Sequence, residues 1–526
     1  MSPRVILPIC GIIWLLLWPP SVAGQPKVAT GVPANPDSAL VTTIQGFPGQ
    51  WLSLAEALVN ATAQASAARA AEARLSAAKQ AVRREKGAFD PELYGTAQWS
   101  GSDTPTASPF AGADILKNES ADYSAGARIR TRLGTEVTAS LNSMRLTSNS
   151  EYAGLSPEYQ SFGALSLRQP LLKGFGASAS SDLNFAKSSL AADGARYEGA
   201  VLAVQAEVET VYWQLYAAER NHAVTIMIRD RTSAFLEDTR LRAKAGMIGP
   251  GQVANAEFFL TEAEQAVLDT EELMDRFSDR LASLMGRRPA GLRYRPEAEP
   301  PRDFPLVDQD ALVAVAMQRN HELQAIAQDT EALRALERGA VWDARPSLDL
   351  LGSLGGNGLT GSPTEGSDPL RTDINGGRGD SVSQSLGRDY PTWNVGFVFS
   401  IPLGNREGKG ERDRWRAEIV RAEQVQLGAE RAFEEEVRAQ HRELERGKQR
   451  LEIATRGVTA SMQQVEFGLV EYQNGRTTAF ELVRLAADLA TAQQRYSDAI
   501  VRTVRAVAVL RQLTGGWYPG TKENGS

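Results

Sequence analysis

The stretch Trp393-Asn394-Val395-Gly396-Phe397-Val398-Phe399-Ser400-Ile401-Pro402-Leu403 decides the fold. Trp393, Val395, Phe397, Phe399 and Ile401 alternate with Asn394, Gly396 and Ser400. That period of two marks a strand with one apolar and one polar face. Past Pro402 the period becomes helical. The same junction stands earlier as Ser166-Leu167-Arg168-Gln169-Pro170-Leu171, again followed by a helical pattern. Upstream, Leu348, Leu350 and Leu354 alternate with Ser347, Asp349 and Ser353.

Working outward, the junction belongs to an internal duplication. Leu54-Ala55-Glu56-Ala57-Leu58 is echoed by Gln309-Asp310-Ala311-Leu312, and Asp90-Pro91-Glu92-Leu93 by Arg345-Pro346-Ser347-Leu348. Beyond the strands, Ala245-Gly246 pairs with Asn474-Gly475, and Leu284-Met285-Gly286 with Leu513-Thr514-Gly515. The landmarks keep their order, and only the stretch between the prolines differs, 91–170 being longer than 346–402. Chance likeness between Ala-rich helices would not reproduce paired prolines and glycines.

Leu183, Leu190, Tyr197, Val201, Val204, Val208, Val211 and Leu215 are spaced by sevens and then by threes and fours, a coiled-coil seam. Leu482, Leu485, Leu489, Ala492 and Tyr496 repeat it. The runs 178–245 and 407–474 predict helices of roughly 100 Å at 1.5 Å per residue. Gly246 and Gly475 end them, and second helices return. Hairpins of that length need neighbours along their whole course, which a ring of hairpins supplies.

The N-terminus has Arg4, an apolar run from Val5 to Trp18, Pro19-Pro20 and Ser21-Val22-Ala23, the pattern of a secretory signal peptide cut after Ala23 or Gly24. Cys10, the single cysteine, falls inside that run, so cleavage leaves no thiol, disulfide or cysteine-bound metal. No later stretch approaches 18 apolar residues, so any membrane crossing falls to strands. The 526 residues are 42% hydrophobic and 23% charged with net charge −7, which makes nucleic acid an unexpected partner. Tyr94, Trp99, Tyr390 and Trp393 flank the strands as aromatic belts do.

The duplicated helix–Pro–strand–loop–strand–Pro–helix order, with Gln169-Pro170-Leu171-Leu172-Lys173-Gly174-Phe175-Gly176 and Tyr472-Gln473-Asn474-Gly475, resembles the TolC-like outer-membrane efflux proteins over about 51–515. The resemblance implies a mainly α, α+β TolC-like fold: a trimer whose four strands per chain share one outer-membrane barrel of twelve, above a periplasmic α-helical tunnel in a Gram-negative bacterium. Open strand edges, which cannot sit in lipid, independently call for association. The expected layout is a signal peptide, 1–23; a flexible lead-in, 24–50; a first repeat, 51–287, with helix 51–86, barrel hairpin region 91–170 and helical hairpin 178–286. A linker, 288–306, leads to a second repeat, 307–515, with helix 308–343, barrel hairpin region 346–402 and helical hairpin 407–513. A disordered tail, 516–526, closes the chain. Two further alternating segments, Tyr123 to Leu133 and Thr135 to Leu141, turn at Gly134. They are expected to extend the hairpin or form an extracellular flap; the alternative is six strands per chain and a barrel of eighteen.

A conduit needs no catalytic group, and no catalytic or metal constellation is patterned in the sequence. The expected partners are the other two copies, outer-membrane lipid, a periplasmic adaptor and an inner-membrane pump of RND, ABC or MFS type, with no cofactor. By resemblance, the tips Gly246, Met247, Ile248 and Gly475, Arg476, Thr477 meet the adaptor, though the glycines also simply permit helix reversal. Glu481 and Arg484 sit where the family places acidic rings that narrow the entrance, and Gln252 stands where a gate acid is expected. Arg484 departs from that pattern and can pair with Glu481 one turn away. The expected function is the outer-membrane channel of a tripartite efflux or type I secretion system, passive and driven by its pump. A periplasmic coiled-coil scaffold is the competing class and predicts solubility without detergent; an enzyme has no residue to support it.

Overall fold

The computed structural model describes residues 38–518 apart from 292, 302, 365–373 and 475. The signal segment 1–23 lies outside them. The first repeat runs α1 (Ser38–Gln45), β1 (Gln50–Leu52), α2 (Leu54–Gln64), α3 (Ser66–Gly87), β2 (Glu92–Pro105), β3 (Ile115–Arg130), β4 (Glu136–Ser148), β5 (Leu155–Pro170), α4 (Ser181–Lys244) and α5 (Pro250–Met285). After β6 (Tyr294–Pro296) come α6 (Gln309–Arg319), α7 (His321–Asp343), β7 (Ser347–Pro363), α8 (Arg378–Gly387), β8 (Tyr390–Ser400), α9 (Arg406–Gln473) and α10 (Ala479–Leu513). With 64 residues in α4 and 68 in α9, the long helices reach about 100 Å at 1.5 Å per residue.

Each opening helix, read from sequence as continuous, is broken in two. At the second break the Asn320 side chain accepts from the backbone N–H of Glu322 (2.9 Å) and Leu323 (3.0 Å) and donates to the Leu513 carbonyl. It caps α7 and ties the break to the end of α10. The equivalent break falls at Ala65, which has no side chain to cap with, and Ala65 is buried instead.

The core lies where the two repeats meet. Tyr212, Trp213 and Leu215 of α4 form one buried cluster with Leu281 and Met285 of α5, Leu312 of α6, and Val507 and Leu510 of α10. Around it, the described part of the lead-in, 38–50, is ordered, and 24–37 lie outside the described residues. Leu40 of α1 is buried with Ala223 and Val224 of α4, and β1 pairs in parallel with β6 from the linker. Arg295 of β6 explains the order. Its Nε donates to Glu219 (2.6 Å), its other nitrogens donate to the Phe47 and Ile44 carbonyls, and its guanidinium lies 4.0 Å from the Trp51 ring centroid. Of the tail, Tyr518 is buried and donates to the Pro305 carbonyl; 519–526 lie outside the described residues.

The sheet corrects the strand count. All its neighbours are antiparallel, in the order β2-β3-β4-β5-β7-β8, six strands from one chain rather than four. The extra segments are neither a flap nor a simple extension. β3 pairs with β2 on one side and β4 on the other, and β4 continues the ladder to β5. Insertion satisfies both backbone edges of each added strand, which a flap outside the wall would leave open. Gly134, with φ +89°, makes the turn, and a side chain there would run into the Gly174 carbonyl. The width of a twelve-strand barrel therefore does not carry over.

Candidate channel wall, entrance and docking tips

Register assigns every strand residue to a face. Trp393 is opposite Leu354, Leu354 opposite Leu165, Leu165 opposite Ala139, Ala139 opposite Ala127, and Ala127 opposite Leu93, so one row of apolar side chains crosses all six strands. The rows nearer the helices add Val395, Phe397 and Phe399, all exposed in the single chain. The opposite face is polar. On it Arg168 reaches Asp349 (2.9 Å), Arg128 reaches Glu92 (2.8 Å), Thr96 meets Ser124, and Asn357 meets Thr392. Apolar outward and polar inward is the wall of a water-filled barrel.

Helix α8 lies on the apolar face, received by small residues. A Cβ on Gly358 would stand 1.9 Å from the Ser381 carbonyl oxygen, and one on Gly356 would stand 2.3 Å from that of Ser385. Ser385 donates to the Gly356 carbonyl (2.9 Å), and the Ser381 hydroxyl is 2.8 Å from that of Ser161. Only glycine lets the two backbones approach this closely.

At the far end of the helices, Gly246 (φ +73°) ends α4, and Met247 N–H donates back to the Arg242 carbonyl. Met247 is 72% exposed, Ile248 half-buried, and Pro250 opens α5. In the second tip Arg476 is exposed and its N–H donates to the Glu471 carbonyl, while Thr477 is half-buried; Gly475 lies outside the described residues. Thr478 caps α10 by accepting from Glu481 N–H.

Gln252 and Glu481 occupy the same third position of the returning helices α5 and α10. Glu481 forms an ion pair with Arg484 at 2.9 Å. The tips also meet through a contact not read from sequence: the Phe259 and Phe480 rings are 5.7 Å apart, joining α5 to α10. The doublet Phe258-Phe259 and the aromatic beside Glu481 were the available signals.

His222 is buried with Nδ1 3.0 Å from Thr270 Oγ1, and burial lowers its pKa. His441 Nε2 is 2.8 Å from the Val307 carbonyl. Among the described residues no group of three or more His, Cys, Asp or Glu is arranged to hold a metal ion, and no helix is long and apolar enough to cross a membrane.

The amphipathic sheet thus continues into helical hairpins about 100 Å long. The family described as outer membrane efflux protein matches residues 312–516, the second repeat. The fold is similar to the outer-membrane channel OprN, at 17% identity and TM-score 0.64, covering 92% of this chain and 93% of that one. It is also similar to the Vibrio cholerae outer membrane protein VceC, at 16% identity and TM-score 0.62, covering 88% and 96%. The Campylobacter jejuni CmeC outer membrane channel follows at 13% identity and TM-score 0.61, covering 88% and 86%. No curated protein matches. The chain thus shares the fold of these outer-membrane channels, and its second repeat matches the pattern of the outer membrane efflux proteins.

Proposed function

We propose that three copies of this chain close one conduit through the outer membrane and periplasm, through which a partner inner-membrane pump drives its cargo in tripartite efflux. The observation that carries the reading is the six-stranded sheet, apolar on one face, polar on the other and open at both edges, continuous with the long helical hairpins. The edges β2 and β8 present unpaired backbone groups, which lipid does not tolerate. Pairing β8 of one copy with β2 of the next closes the wall. Exposed apolar side chains on the helices, Val420, Val425 and Ile453 of α9 and Phe258 and Leu268 of α5, supply further surface for association.

Three such sheets make a barrel of eighteen strands, in the range where barrels leave an aqueous channel. The helical tips would dock a periplasmic adaptor through Gly246, Met247, Ile248, Arg476 and Thr477. Glu481, repeated three times around an axis, would favour cations at the entrance, weakened by Arg484.

Planar bilayers give the test. Detergent-extracted oligomer should produce discrete ion-conducting steps and run as a heat-modifiable trimer. A protein that stays soluble without detergent and conducts nothing would overturn the conduit. Replacing Met247 with Asp should remove crosslinking to the adaptor; unchanged crosslinking would move docking elsewhere.

A further inference from the structure

Helices α4, α5 and α10 share a hollow of about 520 Å³ on the side turned away from β1 and β6. Tyr212 of α4 donates to the Leu52 carbonyl (3.1 Å) and accepts from the Ala298 N–H (3.0 Å), which fixes that side of α4 against β1 and the linker. Ala203, Thr210 and Gln214, which line the hollow, lie roughly half a turn round the helix from it. Ser278 of α5 accepts from the Tyr294 N–H of β6 (2.9 Å), and Arg276 and Arg280, two residues to either side, fall on the opposite face. On α10, Arg505 stands two residues before Val507, which is buried in the core. Three helices thus turn one face each to the same space.

Arg276, Arg280 and Arg505 line the hollow with a single carboxylate, Glu207, which pairs with Arg280. Arg276 and Arg505 are exposed and form no ion pair among the described residues. Between the charges the walls are apolar: Val211, Phe277 and Val509. The remaining acids on these faces lie outside the hollow. Asp269 and Asp498 each precede Arg276 and Arg505 by seven residues, roughly 10 Å toward the tips and beyond a Debye length of about 8 Å. Asp498 and Arg502, one turn apart, offset each other. Glu272 is roughly 140° round α5 from Phe277, on the side away from α4. Three arginines against one glutamate leave the hollow with an excess of positive charge beside apolar surface.

We propose that this hollow binds an organic anion, a carboxylate or sulfonate on an apolar body, at the inner wall of the conduit, and that such anions are a cargo class of the channel. The proposal rests on the trimer reading. In a ring of three chains the face away from α2, β1 and β6 must line the bore, because those elements packed inside the ring would fill it. Three hollows then form one belt. Guanidinium groups receive a carboxylate or sulfonate because they donate in a planar fork. Val211, Phe277 and Val509 take the apolar body, in a volume typical of small-molecule sites. An inorganic anion would leave those walls unused, and an organic cation would meet charge of its own sign. Arg505 stands 24 residues along α10 from Glu481, roughly 36 Å, so the entrance pair and the belt act on separate stretches of the path.

The test is equilibrium dialysis of 1-naphthalenesulfonate against the full oligomer in nanodiscs, with empty nanodiscs subtracted. Wild type should bind the sulfonate more tightly than it binds sulfate or a naphthyl trimethylammonium cation of the same size. The double variant Arg276→Gln, Arg505→Gln should bind it about tenfold more weakly, as expected for the loss of a charge-assisted contact. Arg288→Gln, outside the hollow and paired with Asp279, should leave binding unchanged. Undiminished binding in the double variant overturns the proposal. So does a wild type that binds the cation or sulfate equally well, an arm that depends on no variant folding. The same oligomer is placed in planar bilayers. One that conducts but binds no sulfonate overturns the site and leaves the conduit standing; one that conducts nothing overturns the conduit, and the cargo class with it.

Discussion

The two repeats build the same pair of long helices but different pieces of wall. The first repeat contributes four strands, β2 to β5, with a tight turn at Gly134 in the middle; the second contributes two, β7 and β8, with α8 laid over the outer face between them. In the proposed trimer this difference changes the barrel without changing the tunnel. Adding a complete up-and-down hairpin preserves the direction of every other strand, so β5 still enters α4 and β8 still enters α9. In the proposed trimer the added chain enlarges only the barrel.

The sharpest way to break this comparison is to remove the added hairpin. Excising residues 115–148 leaves β2 and β5 antiparallel and able to pair. Because diameter scales with strand number, the barrel's cross-section should fall to about half. Neutral polymers applied from the extracellular side would report it through a smaller exclusion size; an unchanged cut-off would mean that β3 and β4 do not line the bore.

A smaller effect falls on the second repeat alone. Gly358→Val drives a side chain into the Ser381 backbone and should lower stability by about 1–3 kcal/mol as α8 is displaced. Gly101→Val on β2, where a Cβ meets nothing within 4 Å, is the matched control and should change little. Trimer-dissociation temperatures distinguish them, and equal temperatures would contradict the seat.

The helix breaks sharpen the contrast further. Asn320→Ala removes the cap of α7 and should cost about 1 kcal/mol, seen as earlier thermal unfolding; no change would assign the break to packing alone. Smallest of all is the entrance pair. Glu481→Ala removes an ion pair worth at most about 1 kcal/mol and should lower cation preference in single-channel recordings, whereas unchanged reversal potentials would exclude an acidic ring.

How much of this was legible follows from the same contrast. The wall's last strand announced itself through large side chains, Trp393, Phe397 and Phe399, all on one face. On the outward face the added strands mix small and polar residues, Ala121, Ala125, Ala127, Ala139, Glu119, Ser143 and Arg145, so their alternation is shallow and does not distinguish wall from flap. Only the pairing partners resolve that choice, and partners are not written in local sequence. The excess length of 91–170 over 346–402 was the visible hint.

Helix α8 could not be read. Its sequence is rich in Ser and Gly, and it is held by backbone contact with Gly356 and Gly358 rather than by an apolar stripe. Asn320 followed by Glu322 is a readable cap, although no proline marks the break. At the tips the glycines gave away the reversals. The Phe259–Phe480 contact did not show, since it joins positions from different repeats.

In the proposed trimer, six strands per chain enter one shared wall. Imaging the oligomer in lipid nanodiscs by electron cryo-microscopy counts them directly. Three chains and eighteen strands are expected, with β8 of each copy paired to β2 of the next. Twelve strands, with residues 115–148 folded outside the wall, would contradict it.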